Sequence, residues 1–216
     1  MISAVFFDLD GTLRDSISAL RRAYFDFLAG FGCTGSDAEF DALNGPSLSE
    51  IAVRLAEAHH LSLPPPLLEQ LFFAGQQRAM ATGIALHEGA RELLRRLKDR
   101  KIPLGLATSS PRQEVERYLW GMHLDCFQVV VCGDEVARSK PDPALYNLAV
   151  GRMGEDAACC AAVEDAPNGV IAAKQAGLRV VAVSHHTAPQ ILQESGADAV
   201  VSTLPEVLDA LALEGS

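Results

Sequence analysis

The chain begins with a short, mostly apolar run, residues 2–7, that ends abruptly at Asp8-Leu9-Asp10-Gly11-Thr12-Leu13. An apolar run of that length bounded by charge and glycine is the signature of a strand buried on both faces, as in a parallel sheet. Parallel strands need long crossovers, usually helical, so this opening directs the chain towards an α/β architecture. Residues two apart on a strand share a face. Extended geometry carried past Phe7 therefore points Asp8 and Asp10 the same way, into the space beyond the strand's carboxyl end. Open α/β sheets place their ligands there. Gly11 lets the backbone turn and lets a bulky group approach, and Thr12 can brace the turn. Aspartates also cap ordinary loops, but average residue frequencies produce Asp-x-Asp-Gly-Thr-Leu in roughly one chain of this length in several thousand. Turn chemistry alone is a poor account of it.

After Asp15 and Ser16, which suit a helix N-cap, apolar residues at Ile17, Leu20, Tyr24, Phe27 and Leu28 recur at helical spacing until Gly30 and Gly32. Further helices are expected from Ser36-Asp37 to Leu43, from Ser47 or Ser49 to Ala58, and from Leu67 to Met80 after a break at Pro64-Pro65-Pro66. No strand pattern separates them. Residues 16–83 thus read as an inserted helical cap domain, and residues 1–15 with 84–216 as the core. From His87 the pattern alternates. Strands are expected at 102–107, 129–131, 159–163, 180–183 and 199–201, with helices at 89–100, 111–120, 143–153, 168–176, 189–195 and 205–213. Trp120 is assigned to packing. Alternation of this kind predicts a doubly wound, Rossmann-like parallel sheet.

Four polar clusters each follow an apolar strand: Asp8 and Asp10; Thr108 and Ser109; Lys140, after a loop; and Glu164 with Asp165. Each alone has an ordinary explanation, such as a cap, a solvated lysine or an acidic helix start. In a parallel sheet the carboxyl ends of all strands lie on one edge, so the four can converge. Their order and character resemble the four motifs of the haloacid dehalogenase superfamily in its phosphatase branch. The resemblance is carried by Asp8-Leu9-Asp10-Gly11-Thr12, Ala107-Thr108-Ser109-Ser110, Ser139-Lys140-Pro141-Asp142-Pro143 and Val163-Glu164-Asp165-Ala166-Pro167-Asn168-Gly169, over residues 1–183. Asp15 also fits the branch, though it suits a helix cap as well.

The resemblance implies that Asp8 attacks phosphorus to give an aspartyl phosphate, and that Asp10 protonates the leaving alcohol and then activates water. It implies Mg2+ held by Asp8, the main-chain carbonyl of Asp10 and Asp165, with Glu164 acting through a metal-bound water or from behind the ligands. Lys140 is implied to pair with Asp8 and the transferring phosphoryl group. Thr108, with Leu9, Asp10 and Ser109, is implied to hold the substrate's phosphoryl oxygens. The same core also suits a β-phosphoglucomutase-like phosphomutase, a dehalogenase or a catalytically silent phosphometabolite-binding protein. The second aspartate and the complete Thr-Lys-Asp set speak against the dehalogenase, and intact motifs against silence. The mutase loses ground because Asn44-Gly45-Pro46-Ser47-Leu48-Ser49 lacks the arginine such mutases carry after a glycine. The expected substrate is a small phosphorylated metabolite, a sugar phosphate or phosphoglycolate. The cap is expected to act as a lid, hinged near Arg14-Asp15-Ser16 and Ala81-Thr82-Gly83.

Composition sets outer limits. A formal net charge of −10 opposes a nucleic-acid or anionic-membrane partner. It would also repel a phosphorylated substrate unless the site supplies positive charge. No apolar run is long enough to cross a bilayer and no signal-type segment precedes the first strand, so a cytoplasmic monomer or homodimer is expected. The five cysteines lack a C-x-x-C pair, and most are expected to be reduced and buried. The pairs His59-His60 and His185-His186 are assigned no role.

Overall fold

A computed structural model describes residues 2–43, 48–81, 84–121 and 125–211. The cap segment around Asn44–Ser47, the connection at Thr82-Gly83 and the end of the chain after Leu211 lie outside the described residues, and so does the side chain of Trp120. The chain divides into two compact units, residues 1–14 with 86–216, and residues 15–85.

The first unit is built on six strands: β1 (Ala4–Phe7), β2 (Leu104–Ala107), β3 (Val129–Val131), β4 (Cys160–Glu164), β5 (Arg179–Val183) and β6 (Ala199–Val201). All adjacent pairs are parallel, in the order β3-β2-β1-β4-β5-β6. The intervening helices are α5 (Ala90–Asp99), α6 (Arg112–Gly121), α7 (Ala144–Met153), α8 (Pro167–Gln175), α9 (Pro189–Glu194) and α10 (Val207–Ala210). The doubly wound sheet is therefore present. Period-two alternation sorts its residues between two cores. Val5, Phe7, Leu104, Leu106 and Val163 face α5 and α10. Ala4, Phe6, Ala162, Val180 and Ala182 face α7 and α8. The helix α5 shows why such segments dock: Ala90, Leu93, Leu94 and Leu97 are its buried residues, a stripe at i, i+3, i+4 and i+7.

The second unit is helical: α1 (Ser16–Gly30), α2 (Asp37–Ala42), α3 (Leu48–Ala58) and α4 (Pro65–Ala81). Asp15 caps α1 by accepting a bond from the Ser18 N–H at 3.3 Å. Tyr24, Leu28, Ile51, Leu55 and Phe72 form this unit's own core. Within it His59 Nε2 lies 2.9 Å from both carboxylate oxygens of Glu39, which also accepts from the Tyr24 hydroxyl. That is a packing role for one histidine the sequence left unassigned. The proline run does not stand wholly outside α4. Pro65 and Pro66 form its first turn, where a missing N–H costs nothing and the fixed φ is already helical.

Burial of cysteines is less general than expected. Cys132 and Cys160 are buried, Cys33 and Cys126 partly so, and Cys159 is exposed; all five are free thiols. Among the described residues no helix is long and apolar enough to cross a membrane.

Two central strands interlock through one size difference. Phe6 on β1 pairs in register with Gly105 on β2, and the Phe6 ring occupies the volume a side chain at 105 would need: a Cβ there would fall 2.3 Å from Phe6 Cδ1. Gly105→Ala should therefore destabilise the protein by about 1–3 kcal/mol through overpacking. Urea unfolding at unchanged slope is the measurement, and an unchanged midpoint would contradict this account.

Candidate active site

The sheet order reverses direction between β1 and β4, the switch point at whose carboxyl edge open α/β sheets place their ligands. Asp8 leaves β1 there, its N–H bonded to the Val163 carbonyl at 3.0 Å, while Glu164 and Asp165 follow Val163 on the neighbouring strand. Ladder register therefore brings Asp8 beside Glu164 and Asp165, residues far removed from it in sequence. Asp8, Glu164 and Asp165 are all buried, and one oxygen from each lies within 4.8 Å of the others.

One ammonium enters this cluster. Lys140, from the loop after β3, donates to Asp8 Oδ1 at 2.6 Å and to Glu164 Oε1 at 2.7 Å. The Tyr146 hydroxyl on α7 donates to the same Glu164 oxygen at 2.5 Å, and Thr12 Oγ1 donates to Asp165 Oδ1 at 2.8 Å. Two glycines make the close packing feasible. Gly11 turns at φ +87°, and a Cβ on it would fall 2.2 Å from Asp165 Oδ2; a Cβ on Gly169, in the first turn of α8, would fall 2.0 Å from Glu164 Oε2.

The charges do not balance. Burial, opposed by Lys140 but reinforced by Glu164 and Asp10, pushes the Asp8 carboxyl up to about 7. Burial and the fields of Asp8 and Glu164 raise Asp165 well above the usual carboxylate range. Burial alone would lower Lys140, but Asp8 and Glu164 overcome it and hold the ammonium firmly protonated. Three carboxylates against one ammonium, sealed from water, call for a further cation. Oxygen donors in this number suit a hard divalent ion, so the residues present fit a metal site. Glu164, expected to act from behind the ligands, belongs to the same cluster of donor atoms as Asp8 and Asp165.

Asp10 faces a different set of partners. Its Oδ1 accepts from Arg14 Nε at 2.5 Å and its Oδ2 from Ser110 Oγ at 2.6 Å. Thr108 follows β2, buried, its hydroxyl oxygen accepting from the Ser110 N–H at 3.1 Å. Ser109 is not brought to the carboxylates. Its side chain is exposed and accepts from Ser139 Oγ at 2.6 Å, so Ser110 takes the place next to Asp10. The Leu9 side chain is fully buried in the core, which leaves only its main chain to face a ligand. His185 Nδ1 lies 3.0 Å from the Gly11 carbonyl and its ring 3.9 Å from that of His87, so this residue braces the turn after Asp10.

The residues that sequence reasoning passed over are Arg14, Ser110, Tyr146 and Glu114. Arg14 alone left a readable trace, an acid and a base four residues apart. The others are joined to the site by tertiary contacts.

The chain is similar to several known proteins. The family model described as haloacid dehalogenase-like hydrolase matches residues 5–183. The chain is 31% identical over 209 residues to validoxylamine A 7'-phosphate phosphatase of Streptomyces hygroscopicus subsp. limoneus, covering 96% of each chain. It is 31% identical over 213 residues to a phosphorylated carbohydrates phosphatase of Thermotoga maritima, covering 97% of this chain and 98% of the relative. The crystal structure of CbbY from Rhodobacter sphaeroides in complex with phosphate superposes with a TM-score of 0.77 at 30% identity, over 99% of this chain and 100% of that one.

The charge imbalance predicts a stability profile for the metal-free chain. A carboxyl whose folded pKa is raised binds its proton more tightly folded than unfolded, so its contribution is complete below the unfolded value and lost as pH rises through the folded one. Between about pH 4 and pH 7, the window set by Asp8, chelator-treated protein should lose stability as pH rises. A divalent cation should raise the thermal midpoint, and raise it more at about pH 8 than at about pH 5. Calorimetry across that range checks both, and a metal-free midpoint that climbs with pH would refute the assignment of the strain to these carboxyls.

Proposed function

Since the chain belongs to the haloacid dehalogenase-like hydrolase family, we propose that it is a Mg2+-dependent phosphatase, acting on a small phosphorylated metabolite of the sugar-phosphate or phosphoglycolate type. The observation that carries this reading is the buried Asp8 carboxylate at the switch point, gripped on one oxygen by Lys140 beside two further carboxylates.

Phosphate monoesters hydrolyse extremely slowly in water, so a catalyst must supply a nucleophile and neutralise charge. Lys140 occupies Asp8 Oδ1, which leaves Oδ2 to attack. That oxygen forms a bond to phosphorus as the bond from phosphorus to the ester oxygen breaks, giving an aspartyl phosphate and an alcohol. Asp10 supplies the proton that the departing oxygen takes. Water then attacks the same phosphorus, Asp10 receives its proton, and Asp8 is released with inorganic phosphate. Lys140 offsets charge on Asp8 and on the phosphoryl oxygens in both steps. The Thr108 hydroxyl, whose oxygen accepts from the Ser110 N–H, would donate to one of those oxygens. Mg2+ held by Asp8, Asp165 and the Asp10 carbonyl, with Glu164 alongside, would supply the remaining positive charge that two approaching anions require.

These groups address only the phosphoryl end of a substrate. Choice among leaving groups falls to the helical unit, whose chain departs four residues beyond Asp10 and returns at Leu86. Such a unit can act as a lid that excludes bulk water while the phosphoenzyme stands.

Two assays test the proposal. With Mg2+, phosphate should be released from a panel of sugar phosphates and phosphoglycolate, and Asp8→Asn should lower that rate by at least about a thousandfold. Retention of a tenth of the activity, free of contaminating enzyme, would remove Asp8 as nucleophile. In the second, β-glucose 1-phosphate is supplied with a trace of glucose 1,6-bisphosphate while phosphate and glucose 6-phosphate are followed together. Phosphate release without isomerisation is expected, and faster glucose 6-phosphate formation would make the protein a mutase.

A further inference from the structure

Arg14 is a buried arginine on the turn that carries the candidate acid-base residue. Its side chain is 2% exposed, whereas that of Asp10 is 24% exposed, so the guanidinium lies sealed behind a carboxylate that remains open. The rigid guanidinium plane holds two carboxylates from different elements: Nε donates to Asp10 Oδ1 at 2.5 Å, and Nη2 to Glu114 Oε1, in the first turn of α6, at 2.6 Å. The stem of Arg14 is fixed by its backbone, whose N–H donates to the Leu9 carbonyl at 3.0 Å and whose carbonyl accepts from the Gly11 N–H at 2.9 Å. On the far side of Asp10, Ser110 is fixed by Thr108 through its N–H and by the Gly133 N–H through its carbonyl.

We propose that Arg14 is a positioning residue for Asp10, clamping its carboxylate together with Ser110 so that the proton it exchanges lies within reach of the ester oxygen and then of water. This rests on the acid-base reading of Asp10 given above. Burying a guanidinium is costly, and an apolar residue would fill the same space more cheaply, so the charge points to a task at Asp10. Glu114 has the supporting part: it neutralises the half of the guanidinium that Asp10 does not use. An aspartate on a turn otherwise samples several rotamers, and displacement of a catalytic group by 1 Å can cost about a hundredfold in rate.

The test is a double-mutant cycle between Arg14→Met and Asp10→Asn, read on an alkyl phosphate and on 4-nitrophenyl phosphate, with thermal midpoints measured for each protein. Arg14→Met should lower kcat on the alkyl phosphate by about ten- to a hundredfold with KM changed little, a part of what acid-base catalysis supplies. With 4-nitrophenyl phosphate, whose leaving group needs no proton, the first nitrophenolate burst should keep its rate and only the steady state should slow. In the Asp10→Asn background Arg14→Met should cost less than twofold more. An undiminished further loss there would show that Arg14 acts on the fold, and the positioning role would fall. If Asp10→Asn itself retained full activity on the alkyl phosphate, the acid-base reading would fall first and the role of Arg14 with it. Should Arg14→Met fail to fold, the cycle is run with Arg14→Lys, whose single ammonium cannot reproduce the two-sided fork, and with Glu114→Gln. The same non-additivity is expected of both, and full additivity in both overturns the proposal.

Discussion

The grip of one ammonium on two carboxylates at neighbouring strand ends is the interaction on which the rest of the site depends. Lys140 reaches Asp8 and Glu164 together, and its side chain is only 7% exposed. Ions so enclosed gain from one another several times what they would gain in water, but each has first lost its hydration. The cluster is stable only because further groups complete it: Tyr146 on Glu164, Thr12 on Asp165, and the amino-terminal end of α8 close to Glu164. Even so it carries more negative than positive charge, and the raised carboxyls of Asp8 and Asp165 express that excess. An acidic chain with a formal net charge of −10 thereby holds a buried cluster of carboxylates that could hold a cation.

Sheet topology makes this arrangement accessible. Parallel pairing puts every strand's carboxyl end on one edge, and the order β3-β2-β1-β4-β5-β6 seats β1 beside β4 at the point of reversal. Strand alternation supplies the rest. Phe7 and Val163 pair in register and turn inward to one core, so the residues that follow them emerge as neighbours above the sheet. Glycine at positions 11 and 169 leaves room for carboxylate oxygens that any side chain would displace.

Asp10 is gripped by a different set of side chains from the one around Asp8. Arg14 and Ser110 hold it, and Glu114 balances Arg14. The separation suits two tasks with opposed requirements. On the proposed reading, a nucleophile beside a metal benefits from burial, whereas a group that gives a proton to a departing alcohol and takes one from water must stay partly open, as Asp10 does.

The residues alone determined the α/β class, the parallel sheet and the run of helices after the first strand, and they marked Asp8, Asp10, Lys140, Glu164 and Asp165 as polar positions beyond strand ends, because these are written in local pattern: apolar runs, their periods, and polar residues at their ends. What the sequence could not supply was partnership. It offered Ser109 and passed over Ser110, and only the course of the loop after β2 turned Ser109 to Ser139 and Ser110 to Asp10. It put Arg14 at a hinge of the cap and gave no sign of its burial, since burial of a charged side chain is decided by what packs over it and not by its neighbours in the chain. It left Glu164 to a metal-bound water or a place behind the ligands, and it is ladder register that brings its carboxylate into one cluster of oxygens with Asp8 and Asp165. Pattern fixes which way each side chain leaves its own element; which group from a strand a hundred residues away it then meets is set by the register and order of the sheet.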